Sequence, residues 1–328
     1  MKLIRYFYQN KIKAGLLINK SQAINIDDIA LNTDFPLTEH DKYVIANKLY
    51  NVEPIFLIPL INKGVITKKN NYTQNSLIEL KNVELLSPIT KPNSVRDAYA
   101  FKQHVEAGRK ARGLSMIKEF DLNPVYYYSN HSSITGPGDL FINKKHLNKL
   151  DFELELAIII GKEGKNITIE NADEYIFGFM IMNDWSARDI QIEEMKLNLG
   201  PAKGKDFCTS IGPYLVTKDE LKKQISKTKK GNIYDLKMSA FINNKKVSGD
   251  SSKNMYWTFA EIISHISVGT TLYPGDIIGS GTCATGCLYE LNLTNQTNTW
   301  LQSDDIVKLE IEELGTLENK INLENDNE

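Results

Sequence analysis

The stretch Asp-Phe-Glu-Leu-Glu-Leu-Ala-Ile-Ile-Ile-Gly, residues 151–161, constrains this chain more than any other. It reads as a strand running into a core. Strand side chains alternate faces, so Asp151, Glu153 and Glu155 share one face while Phe152, Leu154 and Leu156 share the other. The run Ala157-Ile158-Ile159-Ile160 is then apolar on both faces, as in a central strand. Two readings of the acidic face stand side by side. A half-exposed strand turns it to water. Near a core, two carboxylates ~4 Å apart repel by roughly 4 kcal/mol at an effective dielectric of 20, and they then require a metal, a base or a proton. Oxygen-only ligands suit a hard ion such as Mg²⁺ or Ca²⁺.

Composition removes several classes of function. The 328 residues are 41% hydrophobic, ordinary for one large globular domain or two unequal ones. A net charge of -2 offers no electrostatic footprint for nucleic acid or an anionic membrane. The longest apolar runs, such as residues 175–182, are too short to span a bilayer. The first twenty residues lack the apolar centre of a secretory leader and read as two short strands around Gln9-Asn10-Lys11. Cys208, Cys283 and Cys287 make neither a CxxC pair nor a disulfide framework, which points to a reducing cytoplasm.

The sequence reads as a small β-rich N-terminal domain (1–90), a larger unit (91–316) and a polar tail (317–328). Residues 68–76 read as a loop or hairpin tip, and 85–98 as the linker into the larger unit. That unit opens with a helical pattern over 95–113, ended by Gly113. Residues 123–130 and 151–161 read as strands, with Gly-Pro-Gly-Asp (136–139) as a turn between them. Residues 171–191 predict a helical turn, a buried strand and a loop entering a short helix. In 255–267, Tyr256, Phe259, Ile263 and Ile266 recur at helical spacing. Residues 272–282 read as a Pro-Gly turn and a strand, and 305–315 as the last strand. Strands dominate, so a doubly wound parallel sheet is excluded; the fold class is mixed α/β and β-rich.

Two further clusters carry chemistry. After the apolar run ending at Met182, the chain emits Asn183, Asp184, Trp185, Arg188, Asp189 and Gln191 at a strand end, where rigid scaffolds display function. Helix capping by Asp184 or Ser186 accounts for one acid but not the cluster. In the helical pattern of 95–113, Asp97 and His104 lie seven residues apart and so on one face. Lone histidines are usually surface or packing residues, and His40, His131, His146 and His265 are read so. Trp185 and Trp257 read as core packing, and the three cysteines as buried small residues.

Together, residues 151–164, 175–191, 200–216, 255–267 and 272–282 resemble the fumarylacetoacetate hydrolase family, over about 95–316, and are closest in motif to its fumarylacetoacetase members and related bacterial proteins. The resemblance implies a β-roll with the site at its mouth, a homodimer and no organic cofactor. It implies that Asp97, Glu153, Glu155 and Asp184 hold a divalent cation, Mg²⁺ or Ca²⁺ with Mn²⁺ as a third candidate. Asp151 is then a flanking acid. It places Lys205 beside metal and substrate, Thr209 near the metal, and Tyr99, Arg188, Gln191 and Thr282 against the substrate. His104, oriented by Glu290, is implied as the base that activates water, with the cation stabilising the enolate that leaves. The sequence departs from the pattern in three ways. Met195 replaces a substrate-contacting tyrosine. The long insertion between the histidine and the E-x-E strand is missing, leaving Arg109 or Arg112 as stand-ins for a cationic contact. The glutamate that smaller acylpyruvase and decarboxylase relatives carry after their histidine is here Ala107, with Glu106 one residue early.

The expected function is metal-dependent hydrolysis of a carbon–carbon bond in a β-diketo acid, fumarylacetoacetate or an acylpyruvate, as in aromatic amino acid catabolism. The alternatives are 2-oxo acid decarboxylation, hydration or isomerisation on the same metal site, or a non-catalytic metal-binding scaffold.

Overall fold

The computed structural model describes residues 1–32, 34–72, 76–111 and 113–324. Parts of the expected 68–76 loop and 95–113 helix, Arg112, and the last four residues of the expected tail therefore lie outside the described residues.

One long sheet organises the chain. Its strands run in the order Leu77–Glu79, Gln22–Asn25, Lys11–Leu17, Lys2–Tyr8, Thr209–Thr217, Ile176–Asp184, Leu154–Ile160, Ile277–Gly279, Val95–Ala98 and Tyr126–Ser129. The hairpin between the first two chain strands turns on Gln9 and Asn10 at φ 48 and 57, the paired left-handed geometry that suits a two-residue turn. Lys2–Tyr8 pairs with Thr209–Thr217 at Leu3↔Leu215, so the first 90 residues continue the sheet of the larger unit.

The period-two pattern of Leu154–Ile160 separates two cores. Leu154, Leu156, Ile158 and Ile160 pack on one side, with Phe179, Trp185 and the helix Phe259–Ile266. Thr258 and Glu261 close a capping box at the start of that helix. A second sheet, Lys245–Ser251, Lys237–Ile242, Ile306–Ile311, Gly315–Leu323 and Gly138–Ile142, packs against the strands Leu154–Ile160, Ile176–Asp184 and Thr209–Thr217 of the long one. On the other side Ala157 and Ile159 join Leu3, Leu16, Ile24, Leu57 and Ile58. Trp185 and the three cysteines are buried, as the sequence suggests. Among the described residues no helix is long and apolar enough to cross a membrane.

Two expectations are corrected. Residues Val95–Ala98 are strand, and the helix spans only Lys102–Ala111. Val95–Ala98 lies between Ile277–Gly279 and Tyr126–Ser129, and ladder bonds to distant segments outweigh local helical spacing. Asp97 and His104 therefore sit on successive elements rather than on one helix face. Residues 317–323 are not tail: Gly315–Leu323 pairs with Ile306–Ile311 and Gly138–Ile142. Leu317, Asn319 and Ile321 point inward while Glu318 and Lys320 point out, a period-two pattern hidden by its polar composition.

Candidate active site

Neighbouring strands of the long sheet deliver the acids to one place. Asp97 is in register with Gly279, Gly279 with Ala157, and Asp184 with Thr209. Asp97, Glu153, Glu155 and Asp184 each put a carboxylate oxygen within 4.8 Å of the others, and all four are buried. The acidic face of the 151–161 stretch is thus turned away from water. Gly279 lies under the cluster. A Cβ there would collide with Asp97 Oδ1 and approach Glu155 Oε2 to 2.9 Å, so the missing side chain is what lets the two flanking acids converge.

Two cations share this space. Lys205 Nζ donates to Glu153 Oε2 at 2.5 Å and to Asp184 Oδ2 at 2.7 Å. Arg188 donates from one terminal nitrogen to Glu153 Oε1 at 2.6 Å, from Nε to Asp151 Oδ2 at 2.8 Å, and from its other terminal nitrogen to Gln191 Oε1 at 2.9 Å. The Tyr127 hydroxyl donates to Asp184 Oδ2. With Asp151, five buried carboxylates face two buried cations, an excess of three negative charges when all are ionised.

Titration follows that imbalance. Burial, then the neighbouring Asp97 and Glu153, pushes Glu155 well above the usual carboxylate range. Burial and Asp184 push Asp97 up as well. Burial also raises Asp184, against the pull of Lys205. For Glu153 burial is outweighed by Lys205 and Arg188 together, which hold it low. Glu155 Oε2 and Asp184 Oδ1 are buried with no hydrogen-bond partner. An all-oxygen cage with two unsatisfied inward oxygens and carboxyls that retain protons fits a hard divalent cation. Glu155 and Asp184 have open oxygens for it, Asp97 Oδ1 also accepts the Gly281 N–H at 3.1 Å, and Glu153 has only the lone pairs left by its two cations.

Beside the cage sits a buried histidine–glutamate pair. His104, in the first turns of Lys102–Ala111, places Nδ1 2.6 Å from Oε2 of Glu290, which is carried by the helix Leu288–Asn295; both are buried. His104, Glu153 and Cys287 bring ligating atoms within 4.8 Å of one another, so the pair adjoins the acids directly. With Nδ1–H given to Glu290, Nε2 keeps a lone pair that can take a proton.

Residues 93–322 match the family described as "Fumarylacetoacetate (FAA) hydrolase C-terminal". The chain belongs to this family. It is 34% identical over 305 residues to the fumarylacetoacetase of Oryza sativa subsp. japonica, across 76% of this chain and 70% of that protein. It is 31% identical over 249 residues to the mitochondrial oxaloacetate tautomerase Fahd2a of Rattus norvegicus, across 76% of this chain and 72% of that protein. Among solved structures, the fumarylacetoacetate hydrolase of psychrophilic Exiguobacterium antarcticum superposes with a TM-score of 0.71 at 26% identity, covering 99% of this chain and all of that one.

The other residues expected from the family pattern distribute unevenly. Tyr99 stands edge-on to His104 with ring centroids 5.8 Å apart. Thr282 Oγ1 donates to Glu155 Oε1 at 3.4 Å, and Thr209 is buried with its N–H given to Ser133. Arg188, expected against substrate, spends donors on Asp151, Glu153 and Gln191. Met195 is 41% exposed, and Arg109 donates to Ser115 O on the surface instead of joining the cage. Sequence reasoning missed Tyr127 and Gly279. The alternation within Tyr126–Ser129 singles out no one tyrosine; only the pairing of Asp97 with Tyr127 does.

Proposed function

We propose that the chain is a divalent-metal-dependent hydrolase that cleaves a carbon–carbon bond of a β-diketo acid, with fumarylacetoacetate and simpler acylpyruvates as leading substrates. The observation that carries this reading is the buried His104–Glu290 pair set directly against the carboxylate cage. In this reading Glu290 fixes the imidazole so that Nε2 faces the reacting centre, and His104 takes a proton from water. The water oxygen adds to the distal carbonyl carbon, the bond to the adjacent methylene carbon breaks with its electron pair, and the imidazolium returns the proton to that carbon. Lys205 commits two of its three donors to Glu153 and Asp184 and keeps the third for negative charge developing on substrate oxygen. Asp97, Glu153, Glu155 and Asp184 would hold Mg²⁺, Ca²⁺ or Mn²⁺, and such an ion supplies Lewis-acid polarisation of the substrate's oxygens. Tyr99 and Thr282, beside His104 and Glu155, are the proposed substrate contacts. A homodimer is carried over from the family pattern and a cytoplasmic location from the unpaired cysteines, and light scattering tests the dimer.

Loss of the diketo chromophore, followed in the ultraviolet with chelated and Mg²⁺-restored protein, tests the reading. Metal-dependent loss with an ¹⁸O atom from water in the new carboxylate supports hydrolysis. Silence with every diketo acid, in folded protein, overturns it. The likeness to an oxaloacetate tautomerase favours one second reading: the same base moving a proton between carbon and oxygen of a 2-oxo acid. Keto–enol interconversion without cleavage and without ¹⁸O uptake would select it.

A further inference from the structure

Asp151 is the one acid of the 151–161 alternation that the cage leaves unused, yet it is wholly buried. Its Oδ1 accepts the backbone N–H of Leu288 at 2.7 Å and its Oδ2 that of Tyr289 at 2.9 Å. These are the first two residues of Leu288–Asn295, the helix whose third residue is Glu290. The helix's own cap is Cys287, whose sulfur meets the Glu290 N–H only at 3.5 Å. Thiols accept weakly, and the carboxylate takes the two helix N–H groups that precede the one the thiol accepts. Oδ2 also accepts Arg188 Nε at 2.8 Å, and the same guanidinium holds Glu153. Asp151 is itself a fixed post, because its backbone pairs with Ser186 in a short ladder.

We infer that Asp151 is a positioning residue that seats the helix bearing Glu290 so that Glu290 meets His104, while anchoring Arg188 on Glu153. The inference rests on reading His104 and Glu290 as base and orienter. The carboxylate is required rather than a polar side chain of the same shape. An amide in its place must turn its NH₂ either toward the Leu288 N–H or toward the Tyr289 N–H and Arg188, and all three are donors.

Two variants test this in the full chain. Asp151→Asn breaks one arm of the post. Leu288→Pro removes one N–H given to Asp151 but leaves the Arg188 arm; proline is compatible with the first helical position, and Cys287 already has the extended backbone that a following proline needs. The readouts are the downfield proton resonance of His104 Nδ1–H, assigned by its loss in His104→Asn, together with Mn²⁺ affinity, kcat and KM. Asp151→Asn is expected to shift or lose the resonance and to lower kcat about 10- to 100-fold with KM unchanged. Leu288→Pro is expected to shift it the same way with Mn²⁺ affinity unchanged. An unmoved resonance in folded variants, with kcat intact and only thermal stability lowered, would make Asp151 a mere helix cap and overturn the inference. If the wild type turns over no oxo acid, the functional reading fails, while the resonance and Mn²⁺ arms still decide Asp151.

Discussion

At the scale of single residues, the four acids of the cage are not equivalent. Glu155 is raised by burial and has an orphan oxygen; Glu153 is held low by two buried cations. Glu155→Gln removes a ligand that already favours the neutral form, so metal affinity is expected to fall while the chelated protein keeps its melting temperature. Glu153→Gln instead strands Lys205 and Arg188. Breaking a buried pair from one side costs about 3–5 kcal/mol, so urea unfolding of the chelated variant is expected to shift by that order. His104→Ala is expected to abolish turnover while Mg²⁺ still raises the melting temperature, since the histidine lies beside the cage; loss of both would misplace the base. The pH dependence follows in sign. Asp97, Glu155 and Asp184 have folded values raised above their ordinary 3.8 and 4.5. The folded state therefore binds the extra protons, and stability is full below those ordinary values and lost as pH rises through the raised ones. Thermal melts of chelated protein should fall across that window. The stabilisation by Mg²⁺ should grow with pH, because the ion replaces protons.

At the scale of elements, convergence of the acids depends on a strand with nothing above it. Gly279 sits between the strands of Asp97 and Glu155, and its backbone is ordinary enough for alanine. Gly279→Ala would push its Cβ against Asp97 Oδ1, Glu155 Oε2 and the Met182 methyl. Mn²⁺ affinity measured by calorimetry is expected to drop at least tenfold, as for loss of a supporting contact to a metal ligand, with circular dichroism unchanged. This scale also shows where pattern reading succeeds. The strand Ile176–Asp184 followed by the helix Arg188–Met195, and the helix Phe259–Ile266, are as expected because the continuous apolar run of the strand and the hydrophobic period and capping box of Phe259–Ile266 are local. Val95–Ala98 misleads because its partners, Ile277–Gly279 and Tyr126–Ser129, are distant in the chain.

At the scale of the whole molecule, the first 90 residues and the larger unit share one sheet and one of the two cores that Leu154–Ile160 separates. Lys2–Tyr8 covers an edge of Thr209–Thr217, and Leu3, Leu16 and Ile24 pack with Ala157, Ile159 and Met180. Removing residues 1–90 would bare that core and leave an open strand edge, a known route to aggregation. The truncated chain is expected to be insoluble or molten, as read by size exclusion and near-ultraviolet circular dichroism; a monodisperse, metal-binding fragment would show the two parts to be separable.

What the sequence by itself determined is local: a two-faced strand with acids on one side, a strand that ends in Asp184 and Arg188, a β-rich chain without a membrane-spanning helix. Period and composition suffice for these because each is a property of neighbours. The family's motifs added Asp97, Glu290 and the role proposed for His104, which no spacing in this chain could supply. Only the tertiary structure decided that the acidic face is buried, that Glu153 is held by Lys205 and Arg188, and that Tyr127, Gly279 and Asp151 belong to the site. The physical reason is distance along the chain. Asp151 meets the Leu288 N–H across 137 residues, and His104 meets Glu290 across 186. Such partners are chosen by the packing of whole elements, and no window of sequence contains both.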